Sequence, residues 1–107
     1  MHMLLIEGTI KPGMKDDFLK AWERQILPTL KAQKGYVDEI LVFSDESGTD
    51  AVGLSFWQTK ADADRYYNDV FPMQTDRIGD LLADIPKVRN FNVEHADIFN
   101  IASRKAA

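Results

Sequence analysis

Cysteine is absent from this chain of 107 residues. Its absence excludes disulfides, thiolate nucleophiles, iron–sulfur clusters and cysteine-ligated zinc together. Histidine is nearly as scarce, with His2 and His95 alone. One histidine builds no metal site by itself, because catalytic zinc or iron takes about three protein ligands. No apolar run approaches the ~18 residues that span a bilayer. The N-terminus has no charged stretch followed by an apolar one, so no secretion signal is expected and the expected compartment is the cytoplasm. Positive charge is not in excess: 13 Lys and Arg stand against 17 Asp and Glu, a net charge of −4. A nucleic-acid binder would be basic, so none is expected as a partner. The charges are interspersed, which excludes a polybasic membrane patch. Met1-His2 precedes a second methionine, Met3. If that pair is an added start, His2 carries no function.

What is present writes one domain over residues 1–107, since this length is too short for two cores. Residues 3–10 read as a strand, broken by Pro12-Gly13. Over residues 14–33 the apolar Met14, Phe18, Trp22, Ile26 and Leu30 recur at helical spacing. Asp16 and Asp17 near its start and Lys31 and Lys34 near its end suit the helix dipole. Gly35 is the residue expected just past the end. Pro28 cannot donate to the Arg24 carbonyl, which predicts a kink. Residues 36–44 and 51–58 read as two strands joined by the polar loop 45–50, a solvated hairpin. Thr59 with Asp62 resembles a capping box with Asp in place of Glu. A helix follows, with Tyr66, Tyr67, Val70 and Phe71 on one face. Pro72 interrupts it, and a second helical piece turns Ile78, Leu81, Leu82 and Ile85 inward. Pro86 ends that piece and residues 88–99 make the last strand. The tail, 102–107, is expected to fray.

The order is β-α-β-β-α-β, an α+β ferredoxin-like domain with an antiparallel four-stranded sheet. The strands carry a second message. Leu4 and Ile6 alternate with Met3 and Leu5, and Ile40 and Val42 with Leu41 and Phe43, so both faces of the sheet are apolar. Helices cover one face only. A second copy of the chain is the simplest cover for the other, which predicts a homodimer through the sheet face.

Three motifs in order carry a family resemblance over nearly the whole chain: Ile10-Lys11-Pro12-Gly13 closing the first strand, Lys34-Gly35-Tyr36 after the first helix, and Leu54-Ser55-Phe56-Trp57-Gln58-Thr59-Lys60 leading into the second. The chain resembles the antibiotic biosynthesis monooxygenase family of dimeric α+β barrels. Similar proteins oxidise hydroxylated aromatics such as anthrones and quinols without metal or flavin, and others degrade haem. The resemblance thus implies a small aromatic ligand, no cofactor, and a cavity lined from early in the second helix. The chain also departs from the pattern. Ser55 stands where many members have a glutamate, and Tyr66-Tyr67-Asn68 where many have a histidine. At the positions used by haem degraders it has Ile6 and Glu7, Tyr66, and Gln74-Thr75-Asp76, so none of the haem residues is matched.

The candidate residues follow from side-chain chemistry. Trp57 could stack on a planar ligand or anchor the second helix as core; Trp22, within the apolar stripe, reads as core. Tyr66 and Tyr67 point about 100° apart on a helix, so one at most faces a pocket squarely. With Asn68 they are candidate pocket residues. His95, alternating with Phe91 and Val93 on the predicted last strand, is a candidate base because imidazole is the side chain that ordinarily changes charge near neutral pH. Glu7, in a strand expected at the centre of the sheet, is the other candidate base or else a paired carboxylate, with Arg89 as a partner. Two functions stay open, and haem binding or degradation is a third that the unmatched positions argue against. One is a monooxygenase that uses no cofactor, acting on a small hydroxylated aromatic or quinol. The other is a binding or sensing module that keeps the pocket without a working base.

Overall fold

The structure, a computed structural model, describes residues 1–97. β1 (His2–Thr9), β2 (Tyr36–Phe43), β3 (Asp50–Trp57) and β4 (Lys87–Asn92) form one sheet in the order β2-β3-β1-β4, with every pairing antiparallel. That is the ferredoxin-like arrangement. Between β1 and β2 runs a continuous helical stretch: α1 (Lys15–Ala21), a π-helical turn (Trp22–Ile26) and α2 (Leu27–Lys31). Between β3 and β4 come α3 (Lys60–Asp69), α4 (Phe71–Ile78) and a short 3₁₀ turn, Gly79–Leu81.

The kink expected at Pro28 is realised as the π turn. Leu27 N–H donates to the Trp22 carbonyl, five residues back. In an unbroken α-helix the Pro28 ring would collide with the Arg24 carbonyl, and the wider turn relieves that. It also solves a problem of phase. Four residues overshoot one α-helical turn by about 40°, so a stripe spaced by four drifts off its face within a few turns. The π turn takes up the excess and returns Ile26 and Leu30 to the sheet, where both are buried.

The other boundaries follow local chemistry. Gly35, at φ +83, makes the left-handed turn into β2. Thr59 caps α3: its hydroxyl accepts from Asp62 N–H at 3.1 Å and donates to Asp62 Oδ2 at 2.9 Å. Arg65 adds an ion pair to Asp62 at 3.0 Å. The break between α3 and α4 falls at Val70, because Pro72 sits in the first turn of α4, where a missing N–H costs nothing.

Two expectations need correcting at the C-terminal end. β4 stops at Asn92, and residues 93–97 are not strand. Residues 98 and 99 of the expected strand, and the tail 102–107, lie outside the described residues. Ile85, expected inward, is 87% exposed in the loop before Pro86. Ile78, Leu81 and Leu82 do face the core.

The helices cover the sheet face that carries Leu4, Ile6, Gly8, Ala51, Gly53, Ser55 and Trp57. One core cluster packs Leu4, Leu30, Trp57, Ala63 and Tyr66; another packs Ile10, Phe18, Ile26, Ala51 and Ile78. The opposite face carries Met3, Leu5, Ile40, Val42, Val52 and Leu54 in register. These are half-buried, and Val42 is exposed.

Candidate functional site

A cavity lies where the two core clusters meet, between the sheet and the helices. Its floor is defined by missing side chains. In the register, Gly8 pairs with Ala51 and Ile6 with Gly53, and Leu41 lies across from Gly53 on the other side. Two glycines and an alanine in adjacent rows leave a hollow that Phe18, Trp22, Ile26 and Ile78 roof over. Its volume is about 80 Å³. A cavity of roughly 150 Å³ accepts a benzene-sized guest. The inner space therefore takes the edge or head of a single ring. A surface depression of about 590 Å³ beside α4 shares Phe71, Thr75, Leu82 and Pro86 with the cavity. Those four residues line both spaces.

The lining is apolar except for a few hydroxyl and amide groups. Ser55 Oγ accepts from the buried Trp57 Nε1 at 2.9 Å. Its own proton has no acceptor in that bond and remains to be given. The Tyr66 hydroxyl donates to Gln74 Oε1 in a short bond, and Gln74 Nε2 donates to the Ile26 carbonyl at 3.2 Å in the π turn. The Tyr66 oxygen therefore remains an acceptor. Burial pushes the Tyr66 phenol well above its ordinary value, so it stays protonated at any physiological pH. Thr75 gives its hydroxyl proton to carbonyls of its own helix. The site thus offers one free donor and one free acceptor in an uncharged, largely apolar space.

One carboxylate stands next to this lining. Glu39 of β2 is paired with Ser55 in the register and lies two residues, hence one step on the same face, from Leu41. It is half-buried. Burial raises its pKa, with Asp38 adding to the shift and Lys31 opposing it. The neighbouring Tyr36 is pushed up to about 12, chiefly by burial and then by Glu39 and Asp38.

The structure brings few of the expected site residues to the cavity. Tyr66 lines it. Trp57 is fully buried behind it, stacked on Tyr66 at 5.1 Å and edge-on to Tyr36 at 6.1 Å. Tyr67 packs against Phe71 and lines the outer depression. Asn68 is exposed on α3. His95 lies beyond the end of β4 with 83% of its side chain exposed, 3.5 Å from Asp97. Glu7 sits on the sheet face away from the helices, exposed, in a shallow polar hollow with Asp50, Asp84 and Lys87. Its partner across the register is Lys87, not Arg89, whose guanidinium lies over the Phe91 ring at 5.0 Å. His2 is built into β1, buried, with Nε2 2.9 Å from Asn90 Oδ1. No group of three or more His, Asp or Glu side chains placed to hold a metal ion occurs among the described residues.

Sequence reasoning missed Gly8 and Gly53 as the makers of the cavity and Ser55, Gln74 and Glu39 as its polar neighbours. A glycine inside a strand is a signal of close approach or of space above it, and Gly53 is such a glycine.

No family model matches the sequence, and no curated protein matches it. Solved structures match along most of the chain. SnoaB, a cofactor-independent oxygenase from Streptomyces nogalater, is 14% identical with a TM-score of 0.75, covering 90% of this chain and 95% of its own. A protein of unknown function from Nitrosomonas europaea, NE2512, is 15% identical with a TM-score of 0.74, covering 90% and 91%. An antibiotic biosynthesis monooxygenase is 16% identical with a TM-score of 0.71, covering 89% and 100%. The α+β sheet and its helical cover therefore have the fold of the antibiotic biosynthesis monooxygenases.

Proposed function

We propose that this protein is a monooxygenase that uses no cofactor and acts on a small hydroxylated aromatic or quinol bound between the helices and the sheet. The observation that carries this reading is the presence of two free groups in an otherwise apolar cavity: the Ser55 hydroxyl can donate and the Tyr66 oxygen can accept. A hydroxylated ring can use either group through its hydroxyl. The uncharged lining disfavours carboxylated ligands, whose burial there would go uncompensated.

In such a reaction the substrate loses a phenolic proton and its electron-rich anion reduces dioxygen directly. Carbon and oxygen join as a hydroperoxide at a ring carbon that carries hydrogen. Loss of water then leaves a carbonyl, so that one oxygen atom enters the product and the other leaves as water. The chain's part is to bind and orient the ring, exclude water and stabilise the anion. Oxygen uptake with anthrone or hydroquinone in the presence of a chelator tests this. Uptake above the buffer rate is expected. No uptake, with planar aromatics still bound, would leave the second reading.

That second reading is a binding or sensing module of the same fold. It is favoured by the position of His95 and Glu7, the two expected bases, both away from the cavity. A haem protein is not supported: Gln74, at the position of the haem ligand, is bonded to Tyr66 and to the Ile26 carbonyl. The chain is further proposed to act as a homodimer joined through the open sheet face.

A further inference from the structure

We infer that Glu39 is the proton acceptor of the cavity, taking the hydroxyl proton of a single-ring phenol docked on Ser55. The inference rests on the reading of the cavity as a site for a hydroxylated aromatic and names the base that reading lacks.

The argument begins with register. Residues paired across antiparallel strands place their β-carbons about 5 Å apart on the same face. Glu39 is paired with Ser55, and Leu41, its next neighbour on that face, also lines the cavity. Leu30 of α2 lines the cavity too. Glu39 is not itself part of the cavity lining, but from this position its side chain is long enough to reach an oxygen held on Ser55. None of the expected bases does: Glu7 projects from the opposite face, and His95 lies beyond β4.

The chemistry is complementary. Trp57 Nε1 donates to Ser55 Oγ, which fixes that oxygen and leaves its hydrogen free for a ligand. Donating and accepting at once strengthens the outgoing bond. When the phenolic O–H breaks, its proton joins a Glu39 oxygen and its electron pair stays on the ligand as a phenolate, which the Ser55 hydroxyl then stabilises. One proton moves, and one negative charge passes from Glu39 to the ligand. Burial raises the pKa of Glu39, which makes the carboxylate a stronger base than an exposed one. The charged and titratable groups that act on it are Lys31 from α2 and Asp38 and Tyr36 of its own strand, Asp38 from the opposite face; from β3 it is paired with the uncharged Ser55.

Calorimetric titration with phenol between about pH 8 and about pH 4 tests the assignment without needing turnover, over the range in which carboxylates titrate. Phenol affinity of the wild type should fall about tenfold on acidification, as the ionised acceptor is lost. Glu39→Gln should bind phenol with no pH dependence over this range, and Glu39→Asp, which keeps a carboxylate, should restore it. Oxygen uptake by Glu39→Gln should fall about 10²-fold or more, the usual worth of a general base. The inference is overturned if the wild type shows no such pH dependence, if Glu39→Gln keeps it, or if phenol does not bind. Uptake of oxygen by the wild type in any of those cases would leave the oxygenase reading standing, and absence of uptake with pH-dependent phenol binding would sink that reading alone.

Discussion

Ser55 holds together two functions that separate under mutation. Its oxygen satisfies the buried indole of Trp57, and its proton is free for a ligand. Ser55→Ala leaves the Trp57 N–H buried without an acceptor, a cost of about 1–3 kcal/mol, which a lowered urea midpoint would show. Gly53→Ala should act in the opposite direction. A β-carbon there would meet the Ile6 carbonyl at 3.9 Å and Trp22 at 4.0 Å, ordinary contacts. Gly53→Ala should gain about 0.5–1 kcal/mol, as expected for replacing glycine in a strand, while weakening phenol binding because the new methyl enters the cavity. A variant that is both more stable and poorer at binding would set the cavity apart from the core. His95→Ala should leave oxygen uptake unchanged, since that ring stands in solvent. A hundredfold loss would restore the histidine as the base.

At the scale of elements, the join between the first helical stretch and β2 rests on Gly35 and Asp62. A β-carbon on Gly35 would run into the Asp62 carboxylate, and the position needs a positive φ of +83. Gly35→Ala should cost at least about 1–2 kcal/mol from the left-handed backbone alone, and more from disturbing the α3 cap. Asp62 also predicts an acid limb. Hydrogen bonds from Arg65 and then Thr59 hold its carboxyl below the ordinary carboxylate range, so the folded state binds that proton less readily than the unfolded one. Its contribution to stability is complete above the ordinary carboxylate value and is lost as pH falls through the lowered one. Urea midpoints measured downward from about pH 6 should fall in the wild type, and Asp62→Asn should start lower and fall less. These elements were legible because turn residues and caps announce them: Gly35 and the Thr59–Asp62 pair appear in the structure as the sequence implies. Pro28 announced a disturbance but not its form. The strict spacing of Phe18, Trp22, Ile26 and Leu30 by four was the further sign, since no straight α-helix keeps that stripe on one face.

At the scale of the molecule, the fold was legible and the site was not, for a physical reason. A cavity made by Gly8 and Gly53 exists only because the β1–β3 register sets their rows side by side, and register depends on pairing that a linear pattern does not display. The same holds for Glu39, which is sixteen positions from Ser55 along the chain and opposite it in the sheet. His95 was misplaced because the alternation Phe91, Val93, His95 continues past the point where β4 ends, at Asn92. The two-faced apolar strands lead to one more expectation: sedimentation at micromolar concentration should give about twice the 12.2 kDa chain mass, and a soluble monomer would remove the dimer. The most direct measurement compares oxygen uptake by the wild type and by Gly53→Val, side by side, with hydroquinone and a chelator present. Uptake above the buffer rate in the wild type, lost when valine fills the cavity of a still-folded chain, is the expected result. Equal rates in the two proteins, or no uptake by either, would contradict a reaction carried out in that cavity.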